Sequence, residues 1–167
     1  SIGSTTYASI GPASTVHAAG NILVEAENTT DLDLISGAIG LSESLRGAGF
    51  SVTTAVIRKD TEAWIGAGAD VDAKGNSAGT LTVFAGDPDD LTTEQIHGVG
   101  VQAHATESVF GIGAAGTADA QLGLSGSITA AIVDSDTASF VDRNVKVNDN
   151  PVGAAAIQTV NVSAVGD

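Results

Sequence analysis

The chain of 167 residues has no cysteine and no methionine. Without cysteine there is no disulfide framework, no thiolate nucleophile and no cysteine-ligated zinc site. Basic residues are scarce: 6 Lys and Arg stand against 20 Asp and Glu, a formal net charge of -14. None of the 6 lies between Gly75 and Asp142. A nucleic-acid partner needs basic neutralisation of its phosphates, so that class is excluded. Aromatic residues make up only 4% and there are 3 prolines, which leaves Ala, Val, Ile and Leu to fill an interior in thin layers. No apolar run approaches the roughly 18 residues of a membrane helix, so no membrane span is expected.

Hydrophobic residues reach 43%, too many for a disordered acidic tail. The 21 glycines follow no three-residue period, which rules out collagen. The length suits one domain with a sizeable core, residues 1–167. No signal peptide is visible at Ser1, and the chain is expected to be a processed product or an excised piece.

Internal self-similarity is the main positive signal. The stretch TEAWIGAGADVDAKGNSAGTLTV, Thr61 to Val83, recurs in degenerate form as TYASIGPASTVHAAGNILV from Thr6 and TASFVDRNVKVNDNPVGAAAIQTVNV from Thr137. Each copy, near 6–26, 61–85 and 137–162, reads as alternating strand, turn, Val, turn and alternating strand. Period-two alternation marks half-buried strands, and repetition marks a solenoid. The expected fold is all-β, a parallel β-helix of short stacked strands, right-handed by the general crossover preference. An antiparallel sandwich is the competing arrangement. Ile10 and Ile65 are 55 residues apart and Ile65 and Val141 are 76 apart. The difference of 21 suggests one added coil, and roughly 21–24 residues per coil implies about seven coils. Between the repeats, Asn28 to Asp33 reads as a polar turn, Leu34 to Leu45 as strand and turn, Thr92 to Ile96 as a conceivable helix start, and Gly111 to Ala118 as a Gly/Ala-rich corner.

The run GFSVTTAVIRKDTEAWIGAGADVDAKGNSAGTLTVFA resembles the repeats of large bacterial surface proteins, the filamentous haemagglutinin-like or leukotoxin-like adhesins. The matching positions are Thr61, Ala63, Ile65, Gly66, Val71, Ala73, Gly75, Asn76, Leu81, Val83 and Ala85. They recur at Ala8, Ile10, Gly11, Val16, Ala18, Gly20, Asn21, Ile22, Val24 and Ala26. The third copy departs, with Asp142 after Val141 where Gly is expected and Asn148 in place of Ala. The resemblance implies a secreted, extracellular or cell-surface fibre segment in cell adhesion, with no catalytic residues. End-to-end self-association is the expected partnership, with a glycan or a cell surface as the further partner.

The chemistry-bearing residues offer several alternatives. His17 sits at a strand position and is expected to face solvent; His97 and His104 lack the glutamate of a metalloprotease helix. Carboxylate pairs such as Asp60 with Glu62, or Asp134 with Asp136, would suit a β-helical polysaccharide-degrading enzyme. The aromatic sugar platforms such an enzyme needs are missing, Trp64 and Tyr7 being the only candidates besides four Phe. Scattered threonines invite an ice-binding reading, without a regular rank at one period. Calcium is the cofactor the acidic turns suggest: Asp87, Asp89 and Asp90 form a compact oxygen-rich turn, and Asp70, Asp72 and Asn76 a looser one.

The acidic turn generates a test. Millimolar calcium should raise the melting temperature above the value in sodium chloride of matched ionic strength, because screening acts with both salts and coordination with one. Replacing Asp87 and Asp89 by Asn should remove the calcium-specific part. Superimposable melting curves in the two salts would strike calcium from that turn.

Overall fold

The computed structural model describes residues 1–41, 47–77, 79–85, 91–118 and 123–166. Eleven strands follow in order: β1 (Ile2–Ile10), β2 (Thr15–Ala18), β3 (Ile22–Leu41), β4 (Gly47–Ile65), β5 (Asp70–Ala73), β6 (Leu81–Phe84), β7 (Thr93–Ile96), β8 (Gly98–Ala118), β9 (Gly123–Val141), β10 (Lys146–Val147) and β11 (Thr159–Gly166). Among the described residues, three parallel sheets stack nine of them in the orders β1-β4-β9, β2-β5-β10 and β3-β8-β11, and β6 and β7 form a separate antiparallel pair. This is a parallel β-solenoid, as the repeats imply, and not an antiparallel sandwich. Its three rungs are β1-β2-β3, β4-β5-β8 and β9-β10-β11.

The register explains the repeat spacing. Val16 pairs with Val71 and Val71 with Val147, so the rungs advance by 55 and then 76 residues. Each sheet is three strands deep among the described residues, not seven. The additional length of the second rung is no extra coil. Leu81 to Phe84, matched in sequence to the strand after Gly20-Asn21, instead pairs antiparallel with Thr93 to Ile96, and β8 is the strand stacked beside β3. An inserted hairpin therefore occupies the space between β5 and β8.

The segment Thr93–Ile96 is thus a strand, not a helix start: pairing of Leu81 with Ile96 and Phe84 with Thr93 overrides a weak local helix signal. The expected turn at Asn28 to Asp33 lies inside β3, and the expected corner at Gly111 to Ala118 lies inside β8. Asn28 points inward, and its Nδ2 donates to Ser4 Oγ at 3.1 Å, so a turn-type residue is satisfied within the strand. The β-branched Thr29 and Thr30 that follow favour the extended backbone. Leu34 to Leu41 is strand, and the remainder of that expected strand and turn lies outside the described residues.

The described chain separates into two compact units. One comprises Ser4–Thr29, Lys59–Thr106 and Ser135–Asp167 and holds the repeat core. Alternation delivers Val24, Ala26, Ala63, Ile65, Val71, Ala73, Val99 and Val101 to its interior. On the β1-β4-β9 and β2-β5-β10 sheets burial is graded along the stack. Ile65, Val71 and Ala73 of the second rung are at most 1% exposed, whereas Ile10, Val16, Val141 and Val147, their counterparts above and below, are only half-buried. Lys59 is buried, with Nζ donating to the carbonyls of Asn28 at 2.7 Å and Thr106 at 3.0 Å.

One corner repeats in all three rungs. Ala13, Gly68 and Asn144 adopt left-handed backbone, φ 54°, 71° and 58°. Ala13 N donates to Ala67 O, and Gly68 N to Arg143 O. Only the middle residue is a glycine; the alanine costs about 1–2 kcal/mol in this conformation, offset by the hydrogen bonds that tie rung to rung.

The other unit comprises Ser1–Gly3, Thr30–Arg58 and Glu107–Asp134. Ser36 Oγ lies 2.6 Å from Ser127 Oγ and 2.8 Å from Thr129 Oγ1, a small polar cluster between strands. A Cβ on Gly113 would come within 2.8 Å of Ser127 Oγ, so only glycine fits that approach. Alternation here leaves large apolar side chains in solvent, Ile35 at 78% and Leu124 at 75% exposure, with Ile39 and Phe50 similar.

Graded burial sets a measurable difference between rungs. Ile65→Ala should cost about 2–5 kcal/mol in urea-induced unfolding, as for a fully enclosed isoleucine. Ile10→Ala should cost clearly less, because the lost side chain was half in water already. Equal losses would contradict the graded core.

Candidate functional site

Three surfaces of the repeat unit gather chemistry. The first is the outer face of the β1-β4-β9 sheet, where the strand period brings Tyr7, Trp64 and Phe140 together. Trp64 and Phe140 stack with centroids 6.0 Å apart and planes 7° apart, and Tyr7 meets Trp64 edge-on at 5.6 Å. Tyr7 and Trp64, the only candidates for a sugar platform besides the phenylalanines, thus contact one another, and Trp64 stacks on Phe140. Tyr7 Oη donates to Asp60 Oδ2 at 3.1 Å. That hydrogen bond raises the Tyr7 pKa above its ordinary 10.0, with partial desolvation and the charges of Asp60 and Glu62 adding in the same direction.

The second surface is the β2-β5 ladder. His17 pairs in register with Asp72, and Thr15 with Asp70. His17 Nε2 lies 3.6 Å from Asp70 Oδ1 and 3.8 Å from Asp72 Oδ2. Among the described residues these three are the group of His, Asp and Glu whose ligand-type atoms come within 4.8 Å of one another. The His17 side chain is 53% exposed, that of Asp72 only 3%. Asp72 alternates toward the outside of its strand, yet the segment after β10 folds over the end of β5. Asn148 Oδ1 accepts from Ala73 N at 2.8 Å, Ala155 N donates to Lys74 O at 2.8 Å, and Lys74 Nζ donates to Asn150 O. Lys74 Nζ approaches Asp72 Oδ2 only to 3.8 Å. Asp70 Oδ1 and Asp72 Oδ1 are buried without a hydrogen-bond partner. A buried unsatisfied acceptor costs about 1–3 kcal/mol, more if charged.

The third surface is a cleft of about 430 Å³ beside the inserted hairpin, lined by Leu23, Glu25, Thr82, Phe84, Thr93 and Gln102 among others. Gln102 spans it: Nε2 donates to Glu25 Oε1 at 2.5 Å, and Oε1 accepts from Phe84 N at 3.3 Å. Asn21 anchors the hairpin base by donating to Gly79 O at 2.8 Å and accepting from Gly98 N at 3.0 Å. Each of these amides reaches a backbone group of the insertion or its base, which makes them fasteners of the insertion.

The other sequence candidates fall elsewhere. Asp87, Asp89 and Asp90, the expected calcium turn, lie outside the described residues. Asn76 Nδ2 donates to Gly153 O. Asp60 is occupied by Tyr7, and Asp134 is an exposed carboxylate 3.9 Å from Arg58 Nε. His104 Nε2 is 3.0 Å from Thr106 Oγ1, and its ring packs on Phe84. His17 does face solvent, as its strand position implies. Its juxtaposition with Asp70 and Asp72 was not drawn from sequence, although aligning Val16 with Val71 and Ala18 with Ala73 already sets His17 beside Asp72.

No family model matches this chain, and no curated protein or solved structure matches it either.

Tyr7 is the one tyrosine, so its ionisation can be followed by ultraviolet absorbance without overlap. It should titrate above 10, and Asp60→Asn should bring the midpoint back toward 10. A phenol whose folded pKa is raised adds stability that is complete below its unfolded pKa and lost as pH rises through the folded one. The wild-type chain should therefore lose stability relative to Asp60→Asn above about pH 10. An unchanged Tyr7 midpoint in that variant would show that Asp60 does not hold the phenol.

Proposed function

We propose that this chain is a structural and adhesive segment of an extracellular fibre, stalk or surface layer, in which further rungs cover its two end rungs. The graded core carries this reading. Ile65, Val71 and Ala73 are sealed because a rung lies on each side, while the equivalent residues of the outer rungs stay half in water. Stacked repeats reach full burial only when their ends are capped or continued. Each parallel sheet also ends on a strand with one neighbour, β1, β2 and β3 on one side and β9, β10 and β11 on the other. Such edges are templates for a further strand.

A second copy is the simplest continuation, its β1-β2-β3 edge meeting the β9-β10-β11 edge. The aromatic column would then run on, Phe140 of one copy approaching Tyr7 of the next. The resemblance to adhesin repeats supports the same role, as does the acidic surface, which discourages association with like-charged surfaces other than through matched edges. The adhesive part of the reading rests on the unit that carries Ile35, Ile39, Phe50 and Leu124. Apolar surface of this kind commonly marks an interaction face.

Sedimentation velocity over a concentration series tests the stacking. The chain should shift to elongated oligomers as concentration rises. Phe140→Glu, at an exposed outward position of the last rung, would set a like charge against Asp60 and Glu62 beside Tyr7 of the next copy and should hold the protein monomeric while its β-type circular dichroism is retained. Concentration-independent monomers of the unmodified chain would remove self-stacking.

A further inference from the structure

The geometry points to a site for one divalent transition-metal ion of the zinc type on the β2-β5 ladder, held by His17, Asp70 and Asp72 and fastening the first rung to the second. Three observations converge. The three side chains offer an imidazole nitrogen and two carboxylates within mutual reach, at 3.6 Å and 3.8 Å from His17 Nε2. Ligand atoms on a tetrahedral ion at about 2.1 Å stand about 3.4 Å from one another, so His17 needs to close on each aspartate by only a few tenths of an ångström, and the two carboxylates, already within 4.8 Å of each other, converge by side-chain rotation. Most pointedly, the Asp72 side chain is 97% buried, with Oδ1 lacking any hydrogen-bond partner, and the Asp70 Oδ1 atom is likewise buried without a hydrogen-bond partner. Buried carboxylates are ordinarily paired, hydrogen-bonded or bound to a metal.

The donor set decides which ion. Calcium takes six to eight oxygens, whereas three residues including an imidazole suit zinc and its neighbours. The half-exposed imidazole leaves the outer side open for water as the fourth ligand. The ion's charge balances the two carboxylates. Lys74, 3.8 Å from Asp72 Oδ2, already has the Asn150 carbonyl as its partner and can keep it while the metal takes the carboxylate. Because His17 belongs to β2 and both aspartates to β5, the ion joins strands 53 and 55 residues apart in sequence and adds its binding energy to the folded state. The site does not rest on end-to-end stacking.

The test is titration of chelator-treated full chain with zinc chloride in a non-coordinating buffer, followed by calorimetry and by thermal melting. One equivalent should bind and raise the melting temperature, and calcium at the same concentration should not match it. His17→Ala, a change at an exposed position, should keep the fold and weaken binding at least about tenfold, the lower end of the loss caused by altering even an outer-shell group. Asp72→Asn, which preserves shape, should do the same. His97→Ala and His104→Ala should bind zinc as the unmodified chain does. Cobalt(II) in place of zinc should give visible absorption bands that vanish in His17→Ala. An isotherm unchanged by His17→Ala, no binding at millimolar zinc, or equal stabilisation by calcium would each overturn the assignment.

Discussion

Parallel pairing in register sets each residue beside its counterpart one rung away, about 4.8 Å distant, and this repetition governs what the rest of the chain can be. Inside, it lays Val16, Val71 and Val147 in one column, so small branched side chains fill a narrow core without aromatic bulk. Outside, it would lay charge on charge. A chain with 20 acidic residues would face repulsion at every rung if carboxylates stacked on carboxylates. On the β2-β5-β10 sheet they do not: Asp70 stands between Thr15 and Lys146, and Asp72 stands beside His17. The columns are mixed where the chain as a whole is not.

The same constraint explains why the inserted hairpin is harmless to the core. Residues between β5 and β8 lie outside the three stacked sheets, so the second rung can lengthen while Val71 and Val99 keep their interior positions. What the insertion needs is attachment. Asn21, Gln102 and Asn161 supply it, each with its side-chain amide bonded to the hairpin segment; Asn161 Nδ2, for instance, donates to Phe84 O at 3.0 Å. All three reach a backbone group, which is the sequence-independent way to hold a loop.

Architecture was legible in the sequence because a period of two and a repeated Val-x-Ala are statements about burial, and burial is what the sheets satisfy. The alignment of the internal repeats placed Ile10 over Ile65 and Val16 over Val71 with their proper neighbours. It failed at Leu81, where an alternating strand proved to belong to a hairpin: alternation says that a strand is half-buried but not which strand it pairs with. The separate reading of Asn28 to Asp33 as a turn failed as well, since polarity mimics a turn when a long strand has water on much of its length. The carboxylate and histidine cluster was half-legible. Asp70 and Asp72 are adjacent in sequence and were noticed as an oxygen-rich turn, but with Asn76, whose Nδ2 donates to Gly153 O. His17 enters only through the register, and that is tertiary information.

The repeated left-handed corner has a further consequence, for the order in which the molecule opens. Ala13, Gly68 and Asn144 adopt one backbone conformation with three different side chains, so the corner is imposed by the adjoining rung more than by the local residue. The middle rung has the residue best suited to that bend and neighbours on both sides. The outer rungs copy its shape at some cost, with a neighbour on one side only. Opening free energies differ from place to place within a fold, and here the gradient runs along the stack. Fraying starts at the two end coils and moves inward, leaving the rung around Gly68 as the persistent seed from which the others regrow.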